Sequence, residues 1–190
     1  MQAILDACAA GEIAARVVVV VSNNSDSGAL RRARAAGAEA VHASSKTHPE
    51  PGALDRAIID ALTRAGVEVV MLAGYMKKLG PELLERYRGR ILNTHPALLP
   101  KFGGHGMYGM HVHEAVLRAG ETESGSSVHL VDAEYDTGRV LAQAQVPVLE
   151  GDTPATLSAR VQERERRLVV AVLGQIAQGE LLLSGLEREP

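Results

Sequence analysis

Cysteine occurs once in these 190 residues, at Cys8. A lone thiol excludes an internal disulfide and fits a reducing compartment, and Cys8 reads as a small packed residue of the first helix. No surplus of charge of one sign is present either. The formal net charge of −3 gives no reason to invoke nucleic acid or an anionic membrane surface. No apolar run is long enough to span a membrane, and no basic stretch leads into an apolar segment, so export is not expected. Repeats, linkers and low-complexity tracts are missing as well. What is present is an ordinary hydrophobic share of 46%, in a chain long enough to bury a core. The expectation is a single cytoplasmic α/β domain over residues 1–190.

Apolar patterning gives the order of elements. Arg16 to Ser22 (RVVVVVS) is a β-branched run, the pattern of a strand buried on both faces in a parallel sheet. A helical pattern follows to about Gly37, then a short strand near Ala40 to Ala43 and a loop through Gly52. A helix is expected over Ala53 to Ala65, a buried strand over Val67 to Leu72, and a short Pro-led helix over Pro81 to Arg88. Ile91 to Asn93 is the next strand and His111 to Ala119 the next helix. Ser126 to Val131 and Arg139 to Val146 read as an antiparallel pair. Thr153-Pro154 opens a long helix reaching about Gln178. The implied fold class is α/β, a doubly wound, mostly parallel sheet with an antiparallel C-terminal pair. It lacks the strand that usually opens such a sheet, because the chain begins directly in a helix, Gln2 to Ala10.

The chemistry concentrates in Ile91-Leu92-Asn93-Thr94-His95-Pro96-Ala97-Leu98-Leu99-Pro100. Asn93 and His95 stand at i, i+2, so in a strand they leave the same face. Pro96 and Pro100 stiffen the exit from that strand. A carboxamide that donates to a carbonyl oxygen turning negative, beside an imidazole that moves a proton, suits acyl transfer. Asp136, on the acidic loop Asp132-Ala133-Glu134-Tyr135-Asp136, is the group that sets the histidine's charge. A neighbouring carboxylate is expected to raise that imidazole's pKa. Asp132 and Glu134 by themselves read as solvated loop charges.

Other features have plainer readings. Gly104 to Gly109 satisfies the letters G-x-G-x-x-G but follows a Pro-bounded turn instead of a strand, which rejects a dinucleotide site. A mobile, glycine-rich lid or surface loop beside the site fits better. His105, His111 and His113 share no carboxylate or cysteine at metal-ligand spacing, so no metal is expected. Met76, Lys77, Lys78 and Leu79 follow a strand's C-terminal end, where α/β sheets bind ligands, though periodicity alone leaves the lysines as a solvated turn. Gln162 and Glu165, at i, i+3 on the long helix whose apolar side carries Leu157, Val161 and Leu168, read by periodicity as surface.

Five blocks together, LAGYMKKL, ILNTHPALLPKF, HEAVLRAG, GSSVHLVDAEYDTG and ARVQERE, resemble the glycinamide ribonucleotide transformylases, folate-dependent formyltransferases of purine synthesis. The likeness runs from Gln2 to about Val172. It implies the formyltransferase fold and transfer of a formyl group from 10-formyltetrahydrofolate, a co-substrate, to the amine of phosphoribosylglycinamide, without a metal. On that resemblance Asn93 holds the formyl oxygen, His95 transfers the proton and Asp136 tunes His95. The folate pocket maps to Met76, Lys77, Lys78 and Leu79, with Asn93 and Asp132, Ala133, Glu134, Tyr135 and Asp136 beside the pterin. Gln162 and Glu165 map to positions contacting the nucleotide substrate, which reverses the periodicity reading.

The partners implied are small molecules only, for a monomer or homodimer, with no nucleic acid and no membrane. Two departures stand out. The family's first strand and its Gly-Ser-Asn phosphate loop would precede Gln2, and a basic residue expected near the folate's acidic tail falls at Pro51. The alternatives are a formyltetrahydrofolate hydrolase, with water as acceptor, and a folate-binding remnant without catalysis.

Overall fold

The computed structural model describes residues 1–183. Helices and strands alternate along most of it: α1 (Gln2–Ala9), β1 (Val19–Ser22), α2 (Gly28–Ala35), β2 (Glu39–His42), α3 (Ala53–Arg64) and β3 (Val70–Met71). They continue as α4 (Pro81–Arg86), β4 (Ile91–His95), α5 (Met110–Arg118), β5 (Glu123–Leu130), β6 (Val140–Pro147) and α6 (Pro154–Ala177). Local chemistry explains several boundaries. Ser27 caps α2 by accepting from the Leu30 amide at 3.2 Å. Thr153 and Thr156 cap α6 reciprocally, with Pro154 in the first turn, where its missing N–H costs nothing.

The strands form two sheets. β1 and β2 pair in parallel, and a second sheet runs β3-β4-β5-β6. Within it β3 and β4 are parallel, while β4 with β5 and β5 with β6 are antiparallel. Antiparallel pairing thus reaches one strand further than the C-terminal pair expected from sequence. The register sets Asn93 opposite His129 and His95 opposite Ser127.

Two strands are shorter and more open than their sequences suggest. The run 16–22 is strand only over Val19–Ser22, where it is half-buried, and 67–72 is reduced to Val70–Met71. The reason is ladder partners. Among the described residues β1 pairs only with β2 and β3 only with β4, so each keeps one edge without a strand neighbour.

The core sits on both faces of β4. Leu92 and Val128 pack with Val169 and Val172 of α6, while Ile91 packs with Leu62 of α3 and Leu83 and Tyr87 from α4 and its end. Strand alternation makes this sorting automatic. It also sends Asn93 and His95 to the face of Ile91 and Thr94 to the face of Leu92. A third cluster joins Val116 of α5 and Val146 of β6 to Leu157 and Val161 of α6. Leu92, Leu157 and Val161 are fully buried, each contributing on the order of 1.5–3 kcal/mol through burial.

Candidate active site

β4 ends as a strand through His95, so the i, i+2 pair does project from one face at the C-terminal end of the sheet. The loop after β5 returns beside it and carries Asp136 in the left-handed backbone region, at φ 57°. The Asp136 carboxylate lies between two imidazoles. Oδ2 is 3.3 Å from Nδ1 of His95, and Oδ1 is 3.4 Å from Nε2 of His129. All three side chains are buried. The Gly104 amide also donates to Asp136 Oδ2 at 3.0 Å, which puts the glycine-rich segment directly against the site.

His129 joins the cluster to Asn93. Its Nδ1 faces the Leu130 carbonyl oxygen at 2.8 Å and so carries a hydrogen. Its Nε2 is 3.3 Å from Nδ2 of Asn93, the residue opposite it in register. Nε2 thus faces both an Asn93 N–H, from which it accepts when the ring is neutral, and the Asp136 carboxylate, to which it donates when the ring is protonated; either way one carboxamide N–H is left for a ligand. Sequence reading missed His129. A signal existed, a histidine inside a strand of small and apolar residues, but it becomes informative only once β5 is paired with β4.

The charge of His95 is the balance of opposing effects. Burial pushes its pKa down, whereas the Asp136 carboxylate and the Phe102 carbonyl, 2.7 Å from Nε2, pull it up. His129 pushes it down further, and the net direction is below the ordinary histidine value. The rise expected from Asp136 is therefore outweighed by desolvation, a term that sequence cannot weigh. For Asp136, burial pushes up, but the hydrogen bond from His129, the charge of His95 and the Gly104 amide together hold it below its ordinary value. A neutral imidazole beside an ionised carboxylate is the resting arrangement near pH 7.

A cavity opens from this cluster. Lys77, Lys78 and Leu79 form one side, Asp132 through Asp136 another, and Asn93 and His129 lie at its base with Tyr75 and Leu84. Lys78 spans the two sides, 3.2 Å from Glu134 and 5.3 Å over the Tyr135 ring. Asp132 folds its own loop by accepting from the Glu134 amide at 3.1 Å and the Thr137 hydroxyl at 2.7 Å. Met76 is not part of the lining, because its side chain turns outward and is 58% exposed.

On the other face of β4 lies Glu165. Its Oε2 accepts from Ser126 Oγ at 3.4 Å, and burial raises its pKa above the ordinary glutamate value. It is thus turned inward from α6, unlike Gln162, which is exposed and donates to Ser158 Oγ at 3.2 Å. His111 pairs with Glu114 on the surface and His113 is buried on α5. Among the described residues, no group of three or more His, Cys, Asp or Glu side chains is disposed to hold a metal ion. No helix among them is long and apolar enough to cross a membrane.

Residues 1–173 match the formyl transferase family, and the chain belongs to that family. It is 40% identical, over 95% of its length and 83% of the relative's, to the phosphoribosylglycinamide formyltransferase of Escherichia coli. The chloroplastic phosphoribosylglycinamide formyltransferase of Arabidopsis thaliana is 44% identical over 91% of this chain, which spans only 60% of that longer protein. Among solved structures, glycinamide ribonucleotide transformylase 1 from Symbiobacterium toebii superposes with a TM-score of 0.88 at 40% identity, covering 97% of this chain and 84% of that one. A formyltetrahydrofolate deformylase from Pseudomonas syringae shares the fold, with a TM-score of 0.82 at 22% identity.

Proposed function

We propose that the chain transfers the formyl group of 10-formyltetrahydrofolate to the amine of phosphoribosylglycinamide, as the names of its relatives suggest. The observation that carries this reading is the convergence of Asn93, His129 and Asp136 at one cavity, with His95 buried behind them against the Asp136 carboxylate. The pterin end of the folate occupies that cavity between Lys77–Leu79 and Asp132–Asp136. The substrate amine approaches from the side of β4 and α6, where Glu165, with Gln162 a turn before it, recognises the phosphoribosyl substrate.

The neutral amine attacks the formyl carbon, and the developing oxyanion is held by the free N–H of Asn93. When Nε2 leaves the Phe102 carbonyl the ring hydrogen moves to Nδ1, which donates it to Asp136, and the freed Nε2 takes the amine proton; Asp136 then stabilises the resulting imidazolium. The carbon–nitrogen bond to the folate then breaks as the proton passes to the folate nitrogen. Asn93 and the two imidazoles supply every group this sequence needs, and no step calls for a metal. The protein acts on small molecules alone, as a monomer or homodimer. Its single free cysteine supports a reducing, cytoplasmic setting.

The test is incubation of the purified chain with formyl donor and phosphoribosylglycinamide, with mass detection of the product. Formylated ribonucleotide at a rate dependent on both substrates is expected. Formate release that ignores the amine would replace this reading with a hydrolase. Tight folate binding without any product would replace it with a binding protein.

A further inference from the structure

The register across the sheet places His95 of β4, Ser127 of β5 and Gln143 of β6 in one row, so their side chains leave the same face. The turn that follows His95 folds back over this row and is tied to it at three backbone atoms. The Leu99 amide donates to Ser127 Oγ at 3.0 Å, and Ser127 Oγ donates to the Ala97 carbonyl at 2.7 Å. Gln143 Nε2 donates to Ser127 Oγ at 2.8 Å and to the Leu99 carbonyl at 2.9 Å. The set is fully matched. The Leu99 amide and the carboxamide occupy both lone pairs of the Ser127 hydroxyl, which commits its single hydrogen to Ala97. Ser127 is fully buried, so Gln143 is what satisfies its second lone pair.

This tie matters because of where the strand stops. His95 is the last residue of β4, so the ladder fixes the backbone before it and the turn must fix the backbone after it. Further along the turn, Phe102 stands in the left-handed region at φ 56°, with its carbonyl 2.7 Å from Nε2 of His95. Gly103 sits so close that a Cβ there would meet Leu99 Cδ2 at 2.5 Å and Asp136 Cβ at 3.3 Å. The segment 97–104 is therefore held by Ser127 and Gln143 at one end and by Asp136, through the Gly104 amide, at the other. The imidazole of His95 lies between the two anchors.

We propose that Gln143 is a positioning residue for His95, acting from a strand that lines no part of the cavity. Its two N–H groups hold the Leu99 carbonyl and the Ser127 hydroxyl, and through them the backbone from which the imidazole is aimed. The inference rests on the reading of His95 as the group that moves the proton. The charged and titratable groups acting on His95 are Asp136 on the loop after β5, His129 of β5 and His113 of α5. Gln143 carries no charge, so its removal reaches the imidazole only through the turn and the Phe102 carbonyl.

Gln143→Met keeps the length of the side chain and removes both donors. The expected result is a kcat lower by about tenfold, with KM for 10-formyltetrahydrofolate and for the ribonucleotide each within about twofold. The acid limb of kcat/KM should move down by about half a pH unit, because the Phe102 carbonyl that favours the charged ring is no longer held in place. An NMR titration of the His95 ring, which needs no substrate, should show the same downward shift. Gln145→Met, the same change two residues along the same exposed face of β6, should alter none of these quantities. A Gln143→Met protein with unchanged kcat and an unmoved His95 titration, whatever its loss of stability, would reduce Gln143 to a packing contact. Equal losses in Gln145→Met would do the same. A wild-type chain that forms no formylated product would overturn the functional reading instead, and the ring titration would still decide whether Gln143 governs His95.

Discussion

Asp136 touches two imidazoles and a backbone amide, and its removal should register in chemistry before binding. Asp136→Asn keeps the volume and removes the charge that offsets burial at His95. Turnover should fall about 100-fold or more, while KM for the folate changes less than about threefold, checked by steady-state kinetics. Comparable losses in both would remove the charge-tuning role. The pH dependence follows from the same balance. His95 must be neutral to accept a proton, so kcat/KM falls as pH drops through its pKa, which lies below the ordinary value of about 6.5. Asp136 pulls that pKa up, so in Asp136→Asn the acid limb of the profile should move to still lower pH. Folding shares the sign. The pKa values of His95 and Asp136 are both lower folded than unfolded, so their contribution is present above the unfolded values and is lost as pH falls through the folded ones. His129→Gln leaves an amide beside Asn93 but no imidazole against Asp136. A fall in kcat of about tenfold is expected, and an unchanged kcat would reduce His129 to packing. Of these residues Asn93, His95 and Asp136 are legible in the sequence, because strand spacing and loop acidity are local. His129 is not, since its role exists only through the β4–β5 register.

At the scale of elements, the alternation of β4 divides the proposed substrates. Asn93 faces the cavity and His95 leaves the same face of the strand toward Asp136, whereas Thr94 and Glu165 lie on the side of α6, so one strand presents chemistry on one face and recognition on the other. Sequence captures the local half of this arrangement. Thr153-Pro154 marks the start of α6 because a hydroxyl cap and a first-turn proline act within four residues. The cap of α4 is invisible in the same way that His129 is. Its acceptor, Asp55, lies 27 residues before the Glu82 amide. Gly80 is the one local trace of it, and by itself that glycine looks like any turn residue. Because a methyl group there would collide with the Asp55 carboxylate, Gly80→Ala should destabilise the fold by about 1–3 kcal/mol, read from the denaturant midpoint. Gly11→Ala, whose added methyl meets no atom, tests only the left-handed backbone at φ 76° and should cost less, about 1 kcal/mol. Equal costs at the two sites would mean that the carboxylate moves aside freely, and that Asp55 does not fix α4.

For the whole molecule, the α/β class and the order of elements follow from periodicity, but the division into two sheets does not. A β-branched run such as RVVVVVS signals a strand buried on both faces, and nothing local reports which neighbours its two edges will have. In the structure that run is half-buried over Val19–Ser22 and β3 is two residues long, while β5, paired on both edges, is buried over most of its length. Stability should be distributed accordingly. Amides of β4 and β5, held between neighbouring strands and under α6, open only with the whole fold, whereas those of β1 and β3 open locally from the edge that has no strand neighbour among the described residues. Hydrogen exchange of the native chain should show Leu92 and Val128 protected at least about 100-fold beyond Val20 and Met71. On the proposed function, folate should slow exchange at Tyr75, Lys77 to Leu79 and Asp132 to Asp136, which line the cavity, and leave β1 unchanged. Uniform protection across both sheets would mean that β1 and β3 are held as firmly as the interior, and that some contact beyond the strand ladders secures them.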